Sequence, residues 1–319
     1  MFIEAAVVAA LTITDIEWRN GGDYVKRFTN PGSPFVSTLT RHLGAVTGVA
    51  YDAAGRARDI ENGKALDPPR VRPECVAMVP DVDATVTAQS RRRATAPERE
   101  IIDLMELYTF AAENGAGGRA PMESKIGAAV DLLNSTLLQS QIYNVTFRLV
   151  YTGRIDREEN LTQQQLLVWV TNDAEVARLR AENGADLVGL WTESDAEIAW
   201  APRSFTPATG FHVISRRYPL SLQLFSHEVA HNLGAQHNSE QVGSITGDPY
   251  PFARGVVTTT SMTIMSYPPA GQWRDTLPYF SNPELTYDGV PLGVEGQADN
   301  ARMIRVAAPL VADYLPARR

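Results

Sequence analysis

An eleven-residue run, His227-Glu228-Val229-Ala230-His231-Asn232-Leu233-Gly234-Ala235-Gln236-His237, constrains the local backbone more tightly than any other stretch of this sequence. Histidines four residues apart project from adjacent turns on one side of a helix. Leu222, Phe225, Val229 and Leu233 mark an apolar face over Ser221 to Leu233, which predicts that helix. Gly234 can take a positive φ and end it, and the bend lets His237 return toward the other two imidazoles. Three neutral imidazoles on one ion leave a fourth position for solvent, the ligand set of a catalytic zinc site. Glu228, one step round the helix from His227, can reach a water there without occupying the ion, the place of a general base. Three of the five histidines fall in this run. The reading given to His42 and His212, satisfied core or surface residues, therefore does not extend to them.

The rest of the chain predicts an α/β architecture. Residues 1 to about 85 are rich in Gly, Pro and Asp with short β-like runs such as Gly44 to Tyr51, a small β-rich unit. Thr85 to Arg99 loses apolar content and carries Arg91, Arg92 and Arg93 before Pro97, which reads as an exposed linker or an ordinary surface loop. Ile101 to Thr109 then suits a buried strand. Pro121 opens a helix with Ile126, Ala129, Val130, Leu133 and Leu137 on one face. Tyr143 to Tyr151 alternates as a strand, Thr162 to Glu182 reads as one helix stopped at Asn183-Gly184, and Ala185 to Trp191 and Gly210 to Arg216 as strands. That order argues a mixed sheet between helices. The expected division is residues 1–97 and 98–319.

Charge and cysteine narrow the function classes. With 29 basic and 37 acidic residues the net charge is −8, which argues against nucleic acid as a general partner. The single cysteine, Cys75, permits no intramolecular disulfide and no thiolate zinc cluster. Phe2 to Leu11 is apolar, but its only charge is Glu4, so a buried strand or helix is expected there rather than a signal peptide. No run reaches transmembrane length.

The eleven-residue motif resembles that of the metzincin metallopeptidases at every fixed position. Thr263-Ile264-Met265-Ser266-Tyr267 resembles their Met-turn, in which Met265 would pack beneath the imidazoles. Tyr267 matches a position where some branches carry a tyrosine near zinc. Tyr279 to Pro283, Val290 to Val294 and the stretch Gln297 to Leu315, with Met303, Ile304, Ala307 and Ala308, resemble the reprolysin-like branch, including the bacterial peptidyl-Asp type. Asn238, where many relatives carry Asp, and the absence of paired cysteines depart from that branch. The resemblance implies a metzincin-like catalytic domain with a mixed twisted sheet, an active-site helix, and a loop-rich C-terminal subdomain with a closing helix. It also implies a secreted zinc endopeptidase acting on proteins or peptides, with Glu228 as general base and Tyr267 steadying the oxyanion. Calcium is compatible with the family but not shown by sequence, and the oligomeric state is open.

In such enzymes substrate lies along an edge strand, for which Gly210 to Ser215 or the loop from Ala199 to Pro207 is the candidate. The region preceding the catalytic domain often inhibits, sometimes through a thiolate on zinc. Cys75 is the candidate here, although its neighbours Arg72-Pro73-Glu74 do not match the best-known switch motif, and a lone cysteine also reads as a small buried hydrophobe. Arg274 lies in Pro268 to Leu277, expected to wall the pocket after the scissile bond; it would favour an acidic substrate residue or be a solvated surface arginine. Two other function classes remain: a catalytically inactive metzincin-fold protein-binding module, and a zinc hydrolase of non-peptide amides.

Overall fold

A computed structural model describes residues 12–66, 75–78, 99–243 and 248–317; the apolar run Phe2 to Leu11 and the arginine-rich stretch before Arg99 lie outside them. The N-terminal β-rich unit is an antiparallel meander of β1 (Thr12–Trp18), β2 (Tyr24–Thr29), β3 (Val36–His42), β4 (Ala45–Tyr51), β5 (Ala57–Glu61) and β6 (Lys64–Leu66). The chain returns as β7 (Val76–Met78), which belongs to the second sheet. That sheet is completed by β8 (Glu100–Tyr108), β9 (Val145–Arg154), β10 (Leu187–Thr192), β11 (Glu197–Trp200) and β12 (Phe211–Ser215), in the order β7-β11-β12-β10-β8-β9. It is mixed: β8, β9, β10 and β12 run parallel, and β11 runs antiparallel to β12. The architecture is α/β, as expected.

The helices are α1 (Phe110–Gly115), α2 (Arg119–Gln139), α3 (Gln163–Asn172), α4 (Ala174–Asn183) and α5 (Leu224–Asn232). The predicted single helix over Thr162 to Glu182 is broken in two. Asp173 turns its carboxylate onto the backbone N–H groups of Glu175 and Val176 and caps the second helix, while Gly184, at φ 63°, ends it. Strand alternation then sets the layers. Met105, Leu107, Val188, Leu190 and Val213 pack on α3 and α4, whereas Ile102, Leu104, Trp191 and Ile214 face α2 and α5. The sequence reading missed β11, too short to show a period.

Helix α2 is covered on both sides. Its predicted apolar face, Ile126, Ala129, Val130, Leu133 and Leu137, lies in the core with β8 and β9. Its polar stripe is buried against the N-terminal meander. Thr40 donates to Asp131 at 2.6 Å, Thr38 to Ser135 at 2.9 Å, and Arg19 pairs with Asp131 at 2.6 Å. Buried polar groups need such partners. Aromatic contacts of Phe35 with Tyr51, Tyr279 and Tyr287 seal one end of this interface.

The C-terminal part is loop-rich: α6 (Ser239–Val242), the short strand pairs β13 (Ser261–Met262) with β14 (Asp275–Thr276) and β15 (Asn282–Tyr287) with β16 (Val290–Leu292), and a closing α7 (Asn300–Val311). Met303, Ile304, Ala307 and Ala308 of α7 are buried, as their spacing predicts.

From β5, Asp59 accepts hydrogen bonds from the backbone N–H (2.8 Å) and hydroxyl of Ser221, immediately before α5. Burial pushes its carboxyl up to about 6, against the opposing pull of the Ser221 donors. A raised carboxyl favours the folded state below its unfolded pKa and loses that contribution as pH rises through the folded value. Wild-type protein should therefore lose on the order of 3 kcal/mol from Asp59 between about pH 4 and pH 7. Thermal melts of wild type and Asp59→Asn at pH 5 and pH 8 check this: the variant should show the smaller loss of Tm on going alkaline.

Candidate metal centre

Helix α5 begins after Gln223, which adopts a left-handed φ of 58°. It ends at the motif's glycine. Gly234 has φ 79°, and the N–H of Ala235 bonds back to the Ala230 carbonyl at 3.0 Å, closing the helix as the sequence predicts. A Cβ at Gly234 would crowd Phe205, Met303 and the Pro202 carbonyl, so the position is restricted by space as well as by φ. The bend brings His237 back. The Nε2 atoms of His227, His231 and His237 lie 3.1, 3.0 and 3.0 Å apart pairwise, with His227 and His231 fully buried and His237 nearly so.

These contacts cannot all be hydrogen bonds. His227 Nδ1 faces the Ile264 carbonyl at 2.8 Å and His231 Nδ1 faces the Ala235 carbonyl at 2.8 Å. A carbonyl only accepts, so in the neutral ring each Nδ1 carries the proton and each Nε2 presents a lone pair. Lone pairs at 3.1 Å repel unless a cation lies between them. Tetrahedral zinc with nitrogen ligands at about 2.0–2.1 Å separates those ligands by about 3.3 Å, near what is found. The donor set fits zinc, and the two carbonyls are the outer partners that fix ring tautomer and orientation.

The fourth member of the cluster comes from a distant part of the chain. Cys75 Sγ and the three histidine nitrogens all lie within 4.8 Å of one another, and all four residues are buried. The backbone N–H of Cys75 donates to the Tyr267 hydroxyl at 2.9 Å, and just beyond it β7 pairs parallel with β11 through Val76 and Ile198. Glu228 is fully buried on α5 beside His227. Tyr267 sets its ring edge-on to His237, centroids 4.9 Å apart, and to His227 at 5.7 Å. Its own N–H donates to Asn238 Oδ1 at 2.9 Å, so Asn238 anchors the backbone of Tyr267.

Met265 is fully buried in the core that includes Val229 and Ala230. The turn around it is tied to the preceding segment by Ser266 Oγ on the Val256 carbonyl (3.0 Å) and by Thr263 N–H on the same carbonyl. Gly255 allows this approach, because a Cβ there would strike Ser266 Oγ and the Met265 carbonyl. Arg274 lies apart from the cluster's contacts. Its guanidinium donates to the carbonyls of Thr258 (3.1 Å) and Trp273 (2.7 Å) and to Gln272 Oε1 (2.6 Å).

The candidate edge segment divides. Gly210 to Ser215 contains β12, an interior strand between β11 and β10, and so offers no open edge. The strand nearest the edge is β11, whose last two residues, Ala199 and Trp200, fall in the alternative segment; its outer side is taken by β7. The carbonyls of Ile264 and Ala235 escaped the sequence reading because every residue carries one, and only tertiary placement distinguishes them.

Residues 123–238, from α2 through the last motif histidine, match metallo-peptidase family M12B, reprolysin-like. Over 245 residues the chain is 31% identical to a peptidyl-Asp metalloendopeptidase of Pseudomonas aeruginosa, covering 68% of this chain and 41% of that protein. A peptidyl-Asp metalloendopeptidase of Xanthomonas campestris pv. campestris is 29% identical over 231 residues, 70% of this chain and 53% of the other. The chain thus spans about two fifths to half the length of these curated relatives. A solved structure described as that of a chaperone-substrate complex shares the fold, with a TM-score of 0.56 at 21% identity over 69% of this chain and 35% of that one.

If the lone pairs converge as described, adding zinc to metal-free protein should bind one ion per chain and raise Tm. Replacing His237 with Ala should weaken zinc binding by at least about 10²-fold, read by competition with a chromogenic chelator.

Proposed function

We propose that this chain, reprolysin-like in sequence, is a zinc-dependent endopeptidase that hydrolyses peptide bonds in proteins. The observation that carries the reading is the convergence of three imidazole nitrogens beside a buried glutamate on one helix. When bound, zinc supplies Lewis-acid polarisation and acidification of water. The Glu228 carboxylate takes the proton as water attacks the peptide carbonyl and returns it to the leaving amine. Tyr267, whose backbone N–H is held by Asn238, donates its hydroxyl to the developing oxyanion. A substrate strand would lie on β11, where its backbone can bond in place of β7.

The same contacts support synthesis as a zymogen, with residues 1–97 as an inhibitory region and 98–319 as the enzyme. Cys75 sits with the three histidines, its N–H engages Tyr267, and the strand after it covers the edge a substrate would need. A thiolate at the open position displaces the water that Glu228 would deprotonate. The polar stripe of α2 under the N-terminal meander is consistent with release, since Asp131, Ser124 and Ser135 would be well solvated once uncovered.

Secretion is part of this proposal, on the strength of the family resemblance; among the described residues no helix is long and apolar enough to cross a membrane. A preference for acidic residues would follow the names of the relatives. For Arg274 to read such a residue, its guanidinium must exchange loop acceptors for the substrate carboxylate.

Three measurements test these statements. Glu228→Ala should retain zinc while losing about 10²–10⁴-fold or more in casein hydrolysis. Near-normal turnover by that variant would refute the assignment, and zinc binding without any hydrolysis by wild type cleaved free of residues 1–97 would favour a binding module. Cys75→Ser in the uncleaved chain should show chelator-sensitive activity that uncleaved wild type lacks; equal latency would remove the thiolate from the account. In a peptide library, Arg274→Ala should weaken the preference for acidic residues, and an unchanged profile would leave Arg274 as a loop clamp.

A further inference from the structure

Three neighbouring strands place Glu106 (β8), Gly189 (β10) and His212 (β12) in one row, in direct register, on the sheet face that carries α5. Glu106 and His212 are fully buried. Gly189 makes their meeting possible: a Cβ there would overlap both the Glu106 carboxylate and the His212 ring. The carboxylate accepts from Trp191 Nε1 at 2.8 Å, and its other oxygen lies 3.4 Å from His212 Nε2. The opposite ring nitrogen, Nδ1, lies 3.1 Å from Oδ1 of Asn232, the last residue of α5 and the neighbour of His231. The Asn232 amide nitrogen in turn donates to the carbonyls of Trp200 (2.9 Å) and Phe211 (2.8 Å), at the ends of β11 and β12.

The proton positions follow from the acceptors. Two backbone carbonyls oblige the Asn232 nitrogen to face them, so its oxygen must face His212, and His212 Nδ1 must carry a proton. A neutral imidazole could equally place its proton on Nε2, which would turn a lone pair toward the Asn232 oxygen. The Asn232 amide removes that freedom by requiring Nδ1 as donor, and the Glu106 carboxyl 3.4 Å from Nε2 accommodates this ring as the imidazolium facing a carboxylate or as the neutral ring facing a protonated carboxyl. Burial alone would lower the His212 pKa, but the Glu106 charge and hydrogen bonds outweigh it and the pKa is raised.

We infer that His212, held by Glu106, is a positioning residue for the proposed hydrolysis: it locks the Asn232 amide and thereby fixes the end of the histidine-bearing helix against the end of the substrate-binding strand. This inference rests on the endopeptidase reading. It is not a metal ligand and does not touch substrate. Its effect is on the register between the peptide on β11 and the groups on α5, where small displacements are costly to rate. Peptide binding to β11 itself should be little changed, so the consequence falls on kcat rather than KM.

The test uses His212→Leu, which removes the donor, and His212→Asn, whose side-chain amide can still donate toward Asn232. In the active protein His212→Leu should lower kcat about 10- to 100-fold with KM within about twofold and zinc stoichiometry unchanged. His212→Asn should recover kcat to within about threefold of wild type. Equal impairment of both variants, a loss confined to KM, or a loss that merely tracks the folded fraction in a thermal melt would overturn the inference. A readout without catalysis guards against variants that fail to fold. Wild-type full-length protein should show a slowly exchanging, downfield imidazole N–H proton in NMR that is absent from His212→Asn, and Glu106→Gln should retain it, since glutamine can donate to Nε2. Absence of that resonance from wild type overturns the inference. Absence of peptidase activity from wild type cleaved free of residues 1–97 defeats the endopeptidase reading instead, and the NMR result still judges the lock.

Discussion

The convergence of three imidazole nitrogens at about 3 Å, each of the two helical rings fixed by a carbonyl behind it, sets the terms for the rest of the molecule. The backbone acceptors hold the protons of His227 and His231 on Nδ1, so those two rings turn lone pairs toward each other at 3.1 Å, an arrangement that is unfavourable without a cation between them. It is tolerable with a divalent cation at its centre, and it then becomes a source of binding energy for the fold. The surroundings follow from that requirement. A glycine bend returns His237, a tight turn at Thr263 to Tyr267 brings the Ile264 carbonyl within reach of His227, and Gly255 removes the side chain that would block the turn.

The N-terminal meander interacts with this centre at two levels. Through Asp59 it holds Ser221, at the approach to α5, and through Cys75 and β7 it reaches the cluster and the edge strand themselves. Both contacts are polar or main-chain in character, while the apolar core under α2 is supplied mainly by the second sheet and its helices. Phe35, Val49 and Tyr51 of the meander add apolar contacts to that core. The row Glu106–Gly189–His212 has a different character: it is sealed inside the second sheet and joins the helix that bears the histidines to the strand that β7 covers.

Local chemistry made much of this legible in the sequence. The motif's spacing prescribed helix, glycine and return; the period of α2 and α7 gave their buried faces; the alternation of Val145, Phe147 and Leu149 gave one face of β9, although Tyr143 is exposed and a bulge after Leu149 turns Tyr151 to the other side; and Asn183-Gly184 marked a true stop. Misreadings arose where local signals were equivocal. Asp173 in an otherwise continuous helical pattern acts as a cap because its carboxylate finds two free N–H groups, and β11 is four residues long, below the length at which a period can show. Gly210 to Ser215 has the composition of a strand, but composition does not say whether a strand lies at an edge or inside a sheet.

The sequence by itself singled out the three histidines, the glutamate beside the first of them and the bend that returns His237, because those depend on residues within a few turns of one another. Tertiary structure alone decided that Cys75 is the fourth member of the cluster, that the Tyr267 hydroxyl receives its N–H, and that His212 is engaged by Glu106 and Asn232 rather than being an anonymous core histidine. The contacts of Cys75 and of Glu106 join segments far apart in the chain through the order of strands in a sheet, β7 beside β11 and β8, β10 and β12 in a row. Strand order is fixed by the balance of burial over the whole fold, so no window of sequence, however closely read, contains it.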